Sequence, residues 1–267
     1  MKSNLSHELP IFSVPRLSSN KIVAHLEATL RAATLRLNET CNSFTNGAFC
    51  DDRPLYHLLM GNMFMLLLVL CVFGNCVNLI IYHSDQMRQF LAIKMLSAKV
   101  LLNTLLMVCF LPQALRICQI WSADSGAEAI YWQTWPYLMY LINVLGFCSM
   151  WLTVLITFEY YLHVAFPTHS KLWCNEANVS KCSSIILLVA LSLHLIVPLN
   201  RIIDKLRCPG NRIFYQVIMR PGTLPDTFEK AYAWINLLIA IILPLAVLSF
   251  MSIFITWRLL FKYSAIE

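Results

Sequence analysis

Five long apolar stretches limit what this 267-residue chain can fold into. A helix needs about 20 mostly apolar residues to cross the hydrocarbon core of a bilayer. We predict five such helices, at residues 58–82, 90–115, 136–162, 182–199 and 232–259. None of these segments has the alternating pattern of a barrel strand. The expected fold class is therefore an all-α membrane protein built as a bundle of transmembrane helices.

Composition and charge point to the same class. Charged residues make up only 13% of the chain, about half of their usual share in a soluble domain. The net charge of +6 is modest, and the basic residues are not clustered with aromatic ones as a nucleic-acid interface requires. The lipid bilayer is the expected partner, and nucleic acid is not.

Residues 1–56 are hydrophilic and are expected to form a largely disordered extracellular tail, followed by the bundle at 57–260 and a cytoplasmic end at 261–267. No signal peptide is predicted, because prolines interrupt the first apolar run, ELPIFSVPRL. The short loop at 122–128 has no lysine or arginine, which favours a tail outside the cell, although the longer outer loop at 201–220 carries five. The expected location is the plasma membrane, with several membrane passes and the amino terminus outside.

Two features of the tail fit an extracellular position. Asn38 begins an Asn-Glu-Thr sequon, which predicts glycosylation. Cys41 and Cys50 bracket a short polar loop that a disulfide could close in an oxidising compartment.

No catalytic centre is predicted, and the chain is not expected to be an enzyme. The sequence lacks the HExxH, GxSxG, P-loop and GxGxxG motifs. Glu159 and His163 are four residues apart on one predicted helix, but two side chains are too few for a metal site that needs about four ligands. We expect no metal and no cofactor.

Two amides within predicted membrane helices are candidates for hydrogen bonds between helices. Asn75 is in the first helix and Asn103 is in the second. An amide in hydrocarbon is expected to bond to a neighbouring helix, and each such bond stabilises the bundle by roughly 1 kcal/mol. Asn103 is the better candidate for an internal hydrogen bond.

The end of the third apolar segment, TFEYYLHVAFP, resembles the end of the third helix of rhodopsin-like G-protein-coupled receptors. That helix ends in an acidic residue, arginine and tyrosine, with a proline a short distance later. Glu159, Tyr160, Tyr161 and Pro167 stand at the matching places. The resemblance implies that the first three occupy the positions of the receptor's activation switch. They would mark the cytoplasmic exit of the helix, where we expect water and lipid headgroups to solvate them.

Other motifs resemble the invertebrate, especially nematode, FMRFamide-type peptide receptors. In order along the chain they are Gly74-Asn75, Asn103-Thr104 before Pro112, WLTVLITFE at 151–159, Pro167 before Cys174, VPLNR at 197–201 and ILPLAVL at 242–248. Their order and spacing cover residues 58–259. The resemblance implies five helices of a seven-helix receptor fold, and descent from a neuropeptide receptor.

Several positions depart from the family pattern. Tyr160 replaces the arginine of the switch, and Asn103 replaces an acidic residue that resembles a sodium ligand in the family. Trp135 stands where the family has a cysteine near the outer end of the third helix, so Cys208 lacks its usual disulfide partner. Either Cys118 substitutes for that partner or Cys208 remains a free thiol.

If the outer half of the bundle binds a peptide, polar and aromatic side chains there would contact it. The candidates are Gln113, Tyr140, Asn143, Trp234 and Asn236. Each of them could instead serve only in packing.

The functional expectation is a divergent, truncated receptor-like membrane protein, since no sixth or seventh apolar segment follows the fifth. Coupling to a heterotrimeric G protein is not expected. The alternative is a non-signalling subunit, or a dominant-negative partner, that forms a hetero-oligomer with a full-length receptor. Co-purification with full-length receptors would distinguish the two.

Overall fold

In this computed structural model the described residues are Thr29, Arg31, Leu35 and the ranges 57–87, 90–122, 125–208, 212–221 and 226–264. The chain divides into two compact units, residues 1–51 with 207–212, and residues 52–206 with 213–267. The three described tail residues are helical. The rest of the predicted disordered tail, including Asn38, Cys41 and Cys50, lies outside the described residues.

Helices make up most of the described chain. In order, the elements are a π-helical turn His57–Met63, α1 Phe64–Tyr82, α2 Leu91–Ile117, α3 Gly126–Ala165, α4 Pro167–Trp173, α5 Glu176–His194, α6 Ile196–Asn200, β1 Arg201–Cys208, β2 Arg212–Met219, α7 Asp226–Leu237, a second π-helical turn Leu238–Ile242 and α8 Leu243–Ser264.

Among the described residues, five helical stretches are long and apolar enough to cross a membrane. They are Gly61–Tyr82, Leu91–Ile117, Gly126–Ala165, Glu176–Asn200 and Thr227–Phe261. Each overlaps one predicted segment, and together they indicate a multi-pass membrane protein. Helices suit this environment because they satisfy their backbone hydrogen bonds internally where no water is present.

The third helix begins ten residues before the predicted start at 136. Ser125 caps its first turn, because the Ser125 side chain accepts a hydrogen bond from the Glu128 backbone N–H at 3.3 Å. Serine followed three residues later by glutamate is a known helix-start pattern. Pro136 lies inside the helix rather than at its beginning.

Helix α3 is the centre of the bundle, packing against α2, α5 and α8, while α1 packs on α2. A buried cluster on α3, formed by Val144, Phe147 and Cys148, meets Ala190 of α5. The small alanine lets the two helices approach closely. Close packing of this kind holds helices together in lipid, where burial of apolar surface gives little drive.

The loop between the fourth and fifth spans contains a two-stranded sheet of β1 and β2, which the expected all-α fold did not include. Ile213, Tyr215 and Val217 of β2 lie in or against one buried cluster with α3, as the two-residue period of a strand requires. The Arg220 N–H donates to the Asn200 carbonyl at 2.8 Å and closes the base of the hairpin.

Of the two candidate amides, Asn75 and Asn103, it is Asn103 that makes a hydrogen bond between helices. The Ser149 hydroxyl of α3 donates to Asn103 Oδ1 of α2 at 2.5 Å. Asn75 is half-buried on α1.

We expect Ser149→Ala and Asn103→Ala each to lower the free energy of unfolding by roughly 1 kcal/mol, the usual value for such bonds in membranes. The double variant should lose less than the sum of the two, because both changes remove the same bond. Denaturant unfolding in mixed micelles measures this. Additive losses would show that the bond contributes nothing.

Candidate functional site

A cavity of about 480 Å³ lies at the end of the bundle that carries the hairpin. Side chains from α3, from α6 and the first residue of β1, and from the fifth span form its wall. They are Trp135, Met139, Asn143, Ile196, Val197, Asn200, Arg201, Glu229, Tyr232, Ala233, Asn236, Leu237 and Ile241. Its volume falls within the roughly 300–1,000 Å³ range of small-ligand sites.

One ion pair spans part of this wall. Arg201 Nη2 donates to Glu229 Oε1 at 3.2 Å. The other carboxylate oxygen, Glu229 Oε2, is buried and has no hydrogen-bond partner in the described part of the chain. Asn236 Oδ1 is buried and unpartnered in the same sense. The cavity therefore has two buried hydrogen-bond acceptors that no described donor satisfies.

Helix α7 places these groups together through its period. Glu229, Tyr232 and Asn236 are three and four residues apart in turn, and that spacing puts side chains on one face of a helix. All three line the cavity. This face is turned toward α3 and α6, whose residues form the rest of the wall.

A histidine connects the cavity wall to the core of the bundle. His194 is only 2% exposed, and its Nδ1 lies 3.3 Å from the Tyr232 hydroxyl. The edge of its ring meets Phe147, with the ring centroids 5.7 Å apart at 73°. The position of Tyr232 in the wall thus depends on packing around α3.

Two of the five predicted ligand contacts, Asn143 and Asn236, line the cavity. The other three do not. Trp234 is 71% exposed, and the Tyr140 hydroxyl donates to the Leu191 carbonyl at 3.3 Å. Gln113 is half-buried on α2, outside the cavity wall.

Sequence reasoning did not identify the other polar groups of the wall as site residues. They are Trp135, Asn200, Arg201, Glu229 and Tyr232. A signal was available for two of them, because Glu229 and Tyr232 share a helical face with Asn236. The remaining three depend on how distant segments meet.

Near the same end, one buried carboxylate accepts hydrogen bonds from an arginine and two tryptophans. Glu128 accepts hydrogen bonds from Arg116 Nε at 2.8 Å, Trp121 Nε1 at 2.8 Å and Trp132 Nε1 at 2.7 Å. The Arg116 guanidinium also lies 4.8 Å from the centroid of the Trp132 ring. Tyr215 of the hairpin stacks on Trp132. This cluster is satisfied internally and serves to hold α2, α3 and the hairpin together.

At the opposite end, the three residues predicted to occupy switch positions have different surroundings. Glu159 is 7% exposed, whereas water and lipid headgroups were expected to solvate it. Tyr160 is 52% exposed, and the Tyr161 ring packs 5.0 Å from that of Phe254. Glu159 faces inward because it stands on the side of α3 that meets the start of α5.

The cysteines correct one prediction. Cys208 is disulfide-bonded, whereas Cys118 is a free thiol. The pairing of Cys118 with Cys208 is therefore wrong, and so is the alternative of a free thiol at Cys208. Within the described ranges, no three histidine, cysteine, aspartate or glutamate residues are grouped closely enough to hold a metal ion.

Comparison with protein-family models and with curated proteins gives no match to this chain.

Proposed function

We propose that this chain is a receptor-like membrane protein that binds the end of a peptide in the cavity between α3, α6 and α7. The observation that carries the proposal is the pair of buried acceptors, Glu229 Oε2 and Asn236 Oδ1, in one cavity. A buried polar atom without a partner costs about 1–3 kcal/mol. A ligand that donates hydrogen bonds to both recovers that cost, as the amides and amines of a peptide can.

The disulfide at Cys208 supports an extracellular position for this cavity. Disulfides form in oxidising compartments, which include the exterior of the cell. Cys208 ends β1, in the loop after the fourth span, so this loop and the cavity beside it would face outward. If each of the first four apolar helices crosses the membrane once, an outward-facing loop implies an amino terminus outside as well.

The ordered motifs that resemble FMRFamide-type receptors support a peptide as the ligand. The cavity volume of about 480 Å³ suits the end of a peptide rather than a whole peptide. A cavity of that size matches a drug-sized molecule, not a folded partner. Arg201 and Glu229 stand in the wall as a charged pair, so an incoming charged terminus could interact with either group.

The test of this proposal is saturable binding of a radiolabelled library of short amidated peptides to the purified chain in lipid nanodiscs. We expect binding that Ala233→Trp abolishes, since Ala233 lines the cavity and an indole there would occupy its volume. Asn236→Leu should weaken binding about tenfold or more, because a ligand donor then loses its acceptor.

The matched control is Trp234→Ala. Trp234 is adjacent to Ala233 but turned away from the cavity, so this variant should bind as the original chain does. An absence of saturable binding would overturn the proposal, as would binding that survives Ala233→Trp unchanged.

We expect the chain to cause no nucleotide exchange on a heterotrimeric G protein. In the receptors that it resembles, the switch is an ion pair with two arrangements. Here Tyr160 carries no charge, and Glu159 makes no ion pair within the described ranges. Nucleotide exchange on purified heterotrimers, measured with and without the peptide library, checks this. Peptide-dependent exchange would contradict it.

A further inference from the structure

A second cavity, of about 360 Å³, lies at the end of the bundle opposite the hairpin. The end of α3, α4 with the residue that follows it, and the start of α5 enclose it. Its wall consists of Leu155, Phe158, Glu159, Trp173, Cys174, Asn178, Val179, Lys181 and Cys182. Most of this wall is apolar, so the one carboxylate in it stands out.

One oxygen of that carboxylate is buried without a hydrogen-bond partner among the described residues. Glu159 is 7% exposed, and its Oε2 atom has no hydrogen-bond partner in the described part of the chain. Burying a charge without a partner is strongly unfavourable, because the lost hydration is not replaced. The arrangement therefore favours any cation that can enter the cavity and reach this oxygen.

The neighbouring polar groups are engaged elsewhere. His163 Nδ1 bonds to the backbone carbonyl of Glu159 at 2.8 Å, not to its carboxylate. Asn178 Nδ2 donates to the Trp173 carbonyl at 3.3 Å. Lys181 lines the cavity, but its side chain is exposed and makes no ion pair with Glu159.

The Cys174 thiol lines the same cavity, and its pKa depends on the charge of Glu159. Burial raises the pKa of Cys174, and the nearby Glu159 carboxylate raises it further. Cys174 lies between the third and fourth spans, where water-soluble reagents reach the chain. It is therefore a suitable reporter for what enters the cavity.

We propose that this second cavity binds a primary alkylammonium group, with the ammonium paired to Glu159 and the alkyl stem against Leu155, Phe158 and Val179. A single unpartnered oxygen suits the compact ammonium better than a guanidinium, which prefers two acceptors in a fork. A divalent metal is disfavoured because calcium takes six or more oxygen ligands. The group can belong to a free amine or to a lysine side chain of another protein.

The experiment measures the rate at which methanethiosulfonate reagents modify Cys174, resolved by peptide mass spectrometry on the chain in nanodiscs. The thiolate displaces methanesulfinate and forms a mixed disulfide. One reagent carries an aminoethyl group and the other a neutral methyl group, each normalised to its rate with a small thiol in solution. The ratio of the two rates cancels any change in the pKa of Cys174 between variants.

We expect the normalised rate of the cationic reagent to exceed that of the neutral reagent by about tenfold. The reason is the attraction between the ammonium and the Glu159 carboxylate, which the protein screens less than water does. Glu159→Gln should bring the ratio close to one. Glu176→Gln is the matched control, because it removes an exposed carboxylate at the same end of the bundle but outside this cavity. Its ratio should equal that of the original chain.

Two competitors distinguish the source of the ammonium. Pentylammonium represents a free amine, and a capped tripeptide with central lysine represents a protein side chain. If only pentylammonium lowers the rate ratio, the site binds small amines. If the lysine peptide lowers the ratio as well, the site also binds lysine side chains. A ratio that Glu159→Gln leaves unchanged would overturn the proposal. A preference for the cationic reagent that appeared in Lys181→Met but not in the original chain would also overturn it, because the Lys181 ammonium would then occupy the site.

Discussion

Replacing Glu128 with alanine is expected to lower the free energy of unfolding by about 3–5 kcal/mol, the cost of breaking a buried ion pair from one side. Glu128 is buried, and it accepts from Arg116, Trp121 and Trp132 at 2.7–2.8 Å. Without it, the two indole N–H groups lose these acceptors, and the guanidinium loses its carboxylate. Because these side chains come from α2, α3 and the segment between them, the hairpin end of the bundle should loosen first.

Thermal and denaturant unfolding of the purified chain in mixed micelles measures the loss. The control is Glu176→Ala, which removes a pair with Lys94 whose side chains are 44% and 73% exposed. Exposed pairs contribute about 0–1 kcal/mol, so this variant should unfold nearly as the original chain does. If the two variants differed by less than about 1 kcal/mol, the buried cluster would not stabilise the fold.

The second large effect is expected at Phe147, in the middle of the bundle. Phe147 is buried between Val144, Cys148 and Ala190, and its ring meets that of His194. In lipid the removed side chain loses little transfer free energy, since lipid tails are as apolar as the core. The cost of the empty volume remains, at about 24 cal/mol per Å³. We therefore expect Phe147→Ala to lose roughly 2 kcal/mol or more.

The same unfolding assay tests this expectation. Phe73→Ala is the control, because Phe73 on α1 is exposed on the outside of the bundle and lipid can refill the space. A loss at Phe147 no greater than that at Phe73 would contradict the packing argument.

We also expect Phe147→Ala to weaken ligand binding in the larger cavity, because His194 links Phe147 to Tyr232.

The membrane spans were predictable because hydrocarbon imposes a simple rule on sequence. A segment must be apolar for about 20 residues, and its backbone must bond to itself. The rule works poorly at helix ends, where water returns. There the Ser125 cap began the third helix before its apolar stretch, and a polar loop formed β1 and β2.

The candidate sites were predictable only in part. Asn143 and Asn236, two of the predicted ligand contacts, line the larger cavity, and polar residues on inward faces of membrane helices are few. Glu159 was expected in contact with water because it stands near a helix end, yet it is buried. Sequence position along the membrane normal indicates depth, but not which way a side chain faces.

By itself, the sequence determined that five segments in the described ranges form apolar helices suited to a membrane, because that property depends on each segment alone. Tertiary structure alone decided which polar groups meet. Trp135, Arg201 and Glu229 are far apart along the chain and come together in one wall. Such contacts depend on how helices rotate and pack against one another, and in lipid that packing depends on side-chain fit rather than on hydrophobicity.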